Sequence, residues 1–241
     1  LFIMIAAIGC NSGTYIEEVN SKVNESNALK IEIDFKSNGN DVYVAYWPAG
    51  DSAAIRRVRS NAIDNHAIAL TMLLPETDYN FRIKAKMDNE EEWTSSSLYS
   101  IKTNALPDSL PTFALVQDKG EVFDGYMMVR AVHQPASIVL LDNKANVVWY
   151  TMMDTTVMNP FSWTDDQTII SLHSTNHIKE YNILGEVVFD LKKGEKGLDK
   201  PLHHEIIRIE NRDILALTRE QRIVDLSGQG GSVQDTVKGD G

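Results

Sequence analysis

Cysteine is almost absent from this chain. Cys10 stands alone among 241 residues, so no intramolecular disulfide, zinc cluster or paired-cysteine redox motif can form. Long apolar runs are missing too: no stretch approaches the roughly 20 apolar residues that a membrane-spanning helix needs, and the body is expected outside the bilayer. Cations are in deficit. There are 23 Lys and Arg against 34 Asp and Glu, a formal charge of -11, and no stretch clusters Lys and Arg with aromatics. Affinity for nucleic acid rests mainly on neutralising phosphates, so this balance argues against a nucleic-acid partner.

What is present suits a folded body: 43% of residues are hydrophobic and 24% charged, far from the profile of a disordered chain. The length suggests two domains. Leu1 to Ile8 is wholly apolar and is followed by Gly9 and Cys10. This run resembles the back half of a bacterial lipoprotein signal peptide, with Ala7 standing where such signals usually carry Leu. The resemblance implies a signal remnant over 1–10, Cys10 as the lipidation site, and an extracytoplasmic protein held in the bacterial envelope by a lipid anchor, periplasmic or at the cell surface. Its competitor is a buried first strand. Residues 11–27, rich in Asn, Ser and Glu, read as a polar tether.

From 28 to 104 the chain reads as short alternating strands. Val42, Val44 and Tyr46 put one face in a core, and turn residues such as Ser37 to Asn40 separate the runs. That pattern predicts a β-sandwich. The run Leu74, Pro75, Glu76, Thr77, Asp78, Tyr79, followed by Phe81 and Ile83, resembles the tyrosine corner of a fibronectin type III domain, in which the Tyr hydroxyl ties the loop backbone.

After a linker containing Leu106, Pro107 and Pro111, residues 107–241 repeat themselves. Ile138 matches Ile178, and Val147, Val148 and Trp149 match Val187, Val188 and Phe189, at a spacing of 40. Thr168, Ile169 and Ile170 match Asp213, Ile214 and Leu215 at a spacing of 45. Units of this length built from short strands predict propeller blades. The expected fold is therefore all-β: a fibronectin type III-like sandwich, then the first blades of a β-propeller, truncated at the C-terminus.

The second copy of the repeat carries His203, His204 and Glu205 where the first has Met158 and Asn159, and Arg219 where the first has Ser174. A blade thus forms without these groups, and their joint appearance points to an anion site. Neighbouring strand residues face opposite ways, so the His pair is not expected to share a metal ion, and no metal site is expected. On an ideal strand His203 joins Glu205 and Ile207, while His204 joins Ile206 and Arg208. His133, His173 and His177 read as structural or solvent-facing.

The run from His203 to Leu217, with its His-His-acid, turn and Ile-Leu order, resembles bacterial arylsulfate sulfotransferases, as does Ile138 to Tyr150. Glu205 stands where that family usually has Asp. The resemblance implies a six-bladed propeller that moves a sulfuryl group from an aryl sulfate to a phenol through a histidine nucleophile, with no nucleotide donor and no cofactor. It implies sulfate binding by His203, His204 and Arg219, and a nucleophile beyond residue 241. The alternative is a non-catalytic, lipid-anchored binding protein whose propeller and fibronectin-like loops hold a glycan or protein partner.

Overall fold

The computed structural model describes residues 13–117, 125–131, 135–153 and 160–240. Cys10, His133, Met158 and Asn159 lie outside the described residues. The chain is all-β and divides into two compact units, Leu1–Leu106 and Pro107–Gly241. No helix among the described residues is long and apolar enough to cross a membrane.

Among its described residues the first unit contains eight strands: β1 (Ile16–Val23), β2 (Ile31–Ser37), β3 (Asp41–Pro48), β4 (Arg56–Ser60), β5 (Asp64–Leu70), β6 (Asp78–Lys86), β7 (Thr94–Ser95) and β8 (Tyr99–Lys102). One antiparallel sheet has the order β1-β2-β5, and the other has the order β4-β3-β6 with β7 and β8 both paired to β6. Period-two alternation drives the layering: Ile31, Ile33 and Phe35 of β2, Val42, Val44 and Tyr46 of β3, and Phe81, Ile83 and Ala85 of β6 are all buried. The corner before β6 is closed by the Tyr79 hydroxyl, which accepts from the Leu74 N–H at 2.9 Å.

The tether expected over 11–27 contains strand β1 instead, paired with β2 from Ile16 to Val23. Its register slips between Glu17 and Asn20, and Glu18 has a φ of 52°. That bulge breaks the two-residue period, which is why a polar edge strand looked like a tether.

In the second unit three antiparallel sheets follow one another. The first has the order β11-β10-β9, from β9 (Met127–Ala131), β10 (Ser137–Leu141) and β11 (Val147–Met152). The second runs in chain order through β12 (Phe161–Trp163), β13 (Ile169–Ser174), β14 (His177–Tyr181) and β15 (Val187–Lys192). The third is built from β16 (Leu202–Arg208), β17 (Ile214–Val224) and β18 (Asp235–Asp240). These are propeller-like blades, and the sequence repeat maps onto them: Ile138 and Ile178 fall within β10 and β14, and Trp149 and Phe189 within β11 and β15.

Among the described residues one turn recurs four times. In the turns starting at Asp142, Thr164, Asn182 and Ile209, the first N–H donates to the carbonyl four residues on, and the fourth residue's N–H donates back to the first carbonyl. The fourth residue is left-handed each time: Ala145 (φ 63°), Gln167 (59°), Gly185 (79°) and Arg212 (67°). Asp142 and Asn182 brace their turns alike, each side-chain Oδ1 accepting two backbone N–H groups.

Apolar faces and polar ties join the blades. Leu202 and Ile206 of the third blade pack into a core with Ile170, Leu172, Ile178 and Leu191 of the second. The Trp149 indole N–H donates to the Ile183 carbonyl at 2.7 Å, linking the first blade to the second. Arg208 pairs with Glu180, which also accepts from the Thr168 hydroxyl.

Candidate functional site: a bulged histidine pair

Strand direction decides which side chains can meet. β13 runs toward Ser174, β14 leaves from His177, β15 returns to Lys192 and β16 starts at Leu202, beside Thr218 of β17. These positions therefore share one end of the second and third blades. Two backbone bonds fix the start of β16 there: Leu202 N–H donates to the Thr175 carbonyl at 2.7 Å, and Arg219 N–H donates to the Pro201 carbonyl at 2.8 Å.

Just beyond, the ladder slips. Leu202 faces Thr218 and Ile206 faces Ala216, so His203, His204 and Glu205 together oppose only Leu217. His204 takes up the surplus chain with a φ of 57°, in the left-handed region. The consequence corrects the expectation drawn from an ideal strand. Instead of pointing to opposite faces, the two imidazoles meet edge to face, with centroids 3.7 Å apart and planes at 74°.

Arg219 completes the cluster: its Nη2 donates to His203 Nε2. A guanidinium has no acceptor, so that ring nitrogen must be unprotonated and the proton of the neutral ring lies on Nδ1. His203 is half-buried, while His204, Glu205 and Arg219 are exposed. Beside the bulge, the exposed Arg219 guanidinium and His204 imidazole offer donors to an anion from different directions, while His203 Nε2 accepts from Arg219. Among the described residues no group of three or more His, Cys, Asp or Glu is disposed to hold a metal ion.

Two further histidines, His173 and His177, sit at the same end of the blades. His173 is buried, with its ring centroid 5.0 Å from that of His177. His177 Nε2 lies 2.7 Å from Asp190 Oδ1, and this hydrogen bond, more than any other influence, holds the Asp190 carboxyl below the usual aspartate range. At the same end of the blades is an open groove of about 600 Å³, lined by Ser174, Asn176, His177, Lys192, Lys193 and Asp199. The sequence offered a weak signal for it, since the loop after Lys192 holds Gly194 and Gly197, both at positive φ.

A family model described as arylsulfotransferase matches residues 87–238. The chain belongs to the arylsulfotransferase family. The match takes in β9 to β17, most of β18 and the whole His203, His204 and Arg219 cluster, and it begins in the first unit, just after β6. No curated protein matches the chain. Solved structures similar to it include a computationally redesigned β-sandwich protein, at 20% identity over 36% of this chain and 94% of that one, with a TM-score of 0.31. The sensor domain of the anti-sigma factor RsgI4 of Pseudobacteroides cellulosolvens is 17% identical over 46% of this chain and 91% of that one, with a TM-score of 0.32. Likenesses this slight carry no weight for fold or function.

Proposed function

We propose that His203, His204 and Arg219 hold the sulfuryl group while this arylsulfotransferase-family protein moves it from an aryl sulfate to a phenol. The observation that carries the reading is the bulge, which turns two adjacent imidazoles toward one another and sets Arg219 against His203. A fold that needs only strand pairing gains nothing from a left-handed His204, whereas an anion site gains converging donors.

Chemically, the aryl oxygen–sulfur bond breaks as a histidine nitrogen bonds to sulfur, and the aryloxide leaves with the electron pair. The acceptor oxygen then bonds to sulfur, the nitrogen–sulfur bond breaks, and the phenolic proton passes to a base. Charge spreads over the three sulfuryl oxygens in each step, so the protein's work is positioning and donation. Arg219 presents a planar fork to two oxygens, and His203, once protonated, exchanges its bond from Arg219 for one to the anion. We assign the nucleophile to no residue between 1 and 241. The groove beside Lys192 and Lys193 gives the aryl groups room, since its volume falls in the range of small-molecule pockets.

The first unit, in this reading, is a fibronectin type III-like module. Its strand order and the Tyr79 hydroxyl bond support that assignment. The apolar run ending at Gly9 and Cys10 supports a lipid anchor and an extracytoplasmic site of action.

Transfer of sulfate from a chromogenic aryl sulfate to a phenol, assayed in a protein that also carries the nucleophile, tests the assignment; residues 1–241 alone should be inactive. Arg219→Gln should lower kcat at least about 100-fold, as loss of one oxyanion donor does elsewhere. Full activity in both Arg219→Gln and His204→Ala would overturn it.

A further inference from the structure

The outer face of the β4-β3-β6-β7 sheet carries charge opposite to the rest of the chain. Val42, Val44, Phe81, Ile83 and Ala85 point inward, so alternation turns Tyr43, Arg57, Arg59, Arg82, Lys84 and Lys86 outward. Register gathers them into neighbouring rows. Arg59 and Lys84 flank Tyr43, Arg57 and Arg82 flank Ala45, and Lys86 faces Asp41. Five cations of β4 and β6 thus share one sheet face with two carboxylates, Asp41, which pairs with Arg59, and Asp78 at the start of β6, in a chain whose formal charge is -11.

Three of the five cations are held against aromatic rings. Arg57 and Arg59 lie over the Tyr43 ring at 5.4 and 5.9 Å, Lys86 lies over Trp93 at 5.5 Å, and Tyr43 meets Trp93 edge to face at 4.9 Å. Rings that fix guanidinium groups in advance reduce the side-chain entropy lost when an anion arrives. Ala45, between Arg57 and Arg82, is only 6% exposed, so the apolar surface in the middle of the face is confined to the half-buried rings of Tyr43 and Trp47 beside it.

We propose that this face binds an acidic polysaccharide, one bearing carboxylate or sulfate groups on successive sugars. A protein partner would want a broad apolar centre to desolvate, whereas the apolar surface of this face is limited to the half-buried rings of Tyr43, Trp47 and Trp93, set among cations. A single-stranded nucleic acid would stack its bases on open aromatic faces, but cations cover the Tyr43 and Trp93 rings. What the face offers is a flat array of guanidinium and ammonium groups at strand spacing, suited to an extended chain of anions. This inference does not depend on the sulfuryl-transfer reading.

Calorimetric titration of the full chain with polygalacturonate tests it, with neutral dextran and a single-stranded oligonucleotide of matched charge as comparators. Polygalacturonate should bind with an affinity that falls as salt rises, dextran should not bind, and the oligonucleotide should bind at least about tenfold more weakly. The triple variant Arg57→Gln, Arg59→Gln, Arg82→Gln should lose at least about tenfold in affinity for polygalacturonate. Lys144→Gln, in the β10–β11 turn of the second unit, should lose none. Each variant's thermal unfolding midpoint checks that it has folded, and single Arg→Gln variants replace the triple one if it has not. Absence of polygalacturonate binding, equal binding by the oligonucleotide, or full affinity in the Arg→Gln variants would overturn the proposal.

Discussion

His204 holds a conformation that side chains other than glycine adopt at a cost, and the cluster with His203 and Arg219 depends on it. His204→Gly should therefore raise the unfolding free energy by about 1 kcal/mol, because the left-handed penalty disappears, while weakening anion binding. Urea denaturation set against sulfate titration checks both halves, and a variant that lost both stability and binding would show the strain to be absent. At Tyr79 the hydroxyl accepts the Leu74 N–H, and burial pushes the phenol's pKa up. Tyr79→Phe strands that N–H and should cost about 1–3 kcal/mol in the same denaturation experiment, whereas no loss would mean the corner does not depend on the bond. Sequence reached these two sites unequally. The Leu-Pro-Glu-Thr-Asp-Tyr run shows its corner openly, because a local turn fixes which backbone group the hydroxyl meets. The bulge left no trace, because neither His203 nor His204 is a glycine and period-two reasoning assumes an unbroken ladder.

Among the elements, the four matching turns make the sharpest expectations. A Cβ added at Gly185 would meet nothing within 4 Å, so only its φ of 79° opposes a side chain there. Gly185→Ala should cost about 1 kcal/mol, and Ala145→Gly, at the equivalent place one blade earlier, should gain about as much. Thermal unfolding of the pair decides this, and equal signs would refute the shared geometry. A buried tie crosses from β14 to β16, where the Glu180 and Arg208 side chains are 5% and 13% exposed. Arg208→Met leaves the carboxylate without its cation and should destabilise by about 3–5 kcal/mol, while adding Glu180→Leu should recover much of that loss. A double variant no better than the single one would argue against the pair. The blade repeat was legible because the strand cores and turns recur at 40 and 45 residues. The Glu180 and Arg208 tie was not, since 28 residues separate its partners and neither belongs to a motif. Strand β1 escaped for a related reason: its polar residues pair through backbone and are interrupted at Glu18.

Over the whole molecule, charge is distributed against its average. A chain with formal charge -11 keeps five cations on one sandwich face and a cationic, imidazole-rich cluster on one blade end. Counting charges along the sequence reveals neither, because Arg57 and Arg82, like Arg59 and Lys84, are brought to either side of one β3 residue only through strand pairing, which also brings His203 and Arg219 together. The all-β architecture and the family could be read from the repeat and the His-His-acid run. The meeting of the imidazoles could not. The pair His177 and Asp190 supplies a pH marker near the groove: the Asp190 carboxyl, held low by His177, should titrate below the ordinary aspartate range by carboxyl NMR. Its share of stability is present above the unfolded-state pKa and lost as pH falls through the lower folded value. His177→Gln should bring the midpoint back up, and an unmoved midpoint would break the link. The central claim, that the bulge holds a sulfuryl group, is tested most directly by imidazole-nitrogen NMR of the chain during titration with an aryl sulfate. The account predicts saturable shifts at His203 and His204 that vanish in Arg219→Gln. Unmoved histidine signals, or the same shifts without Arg219, would contradict it.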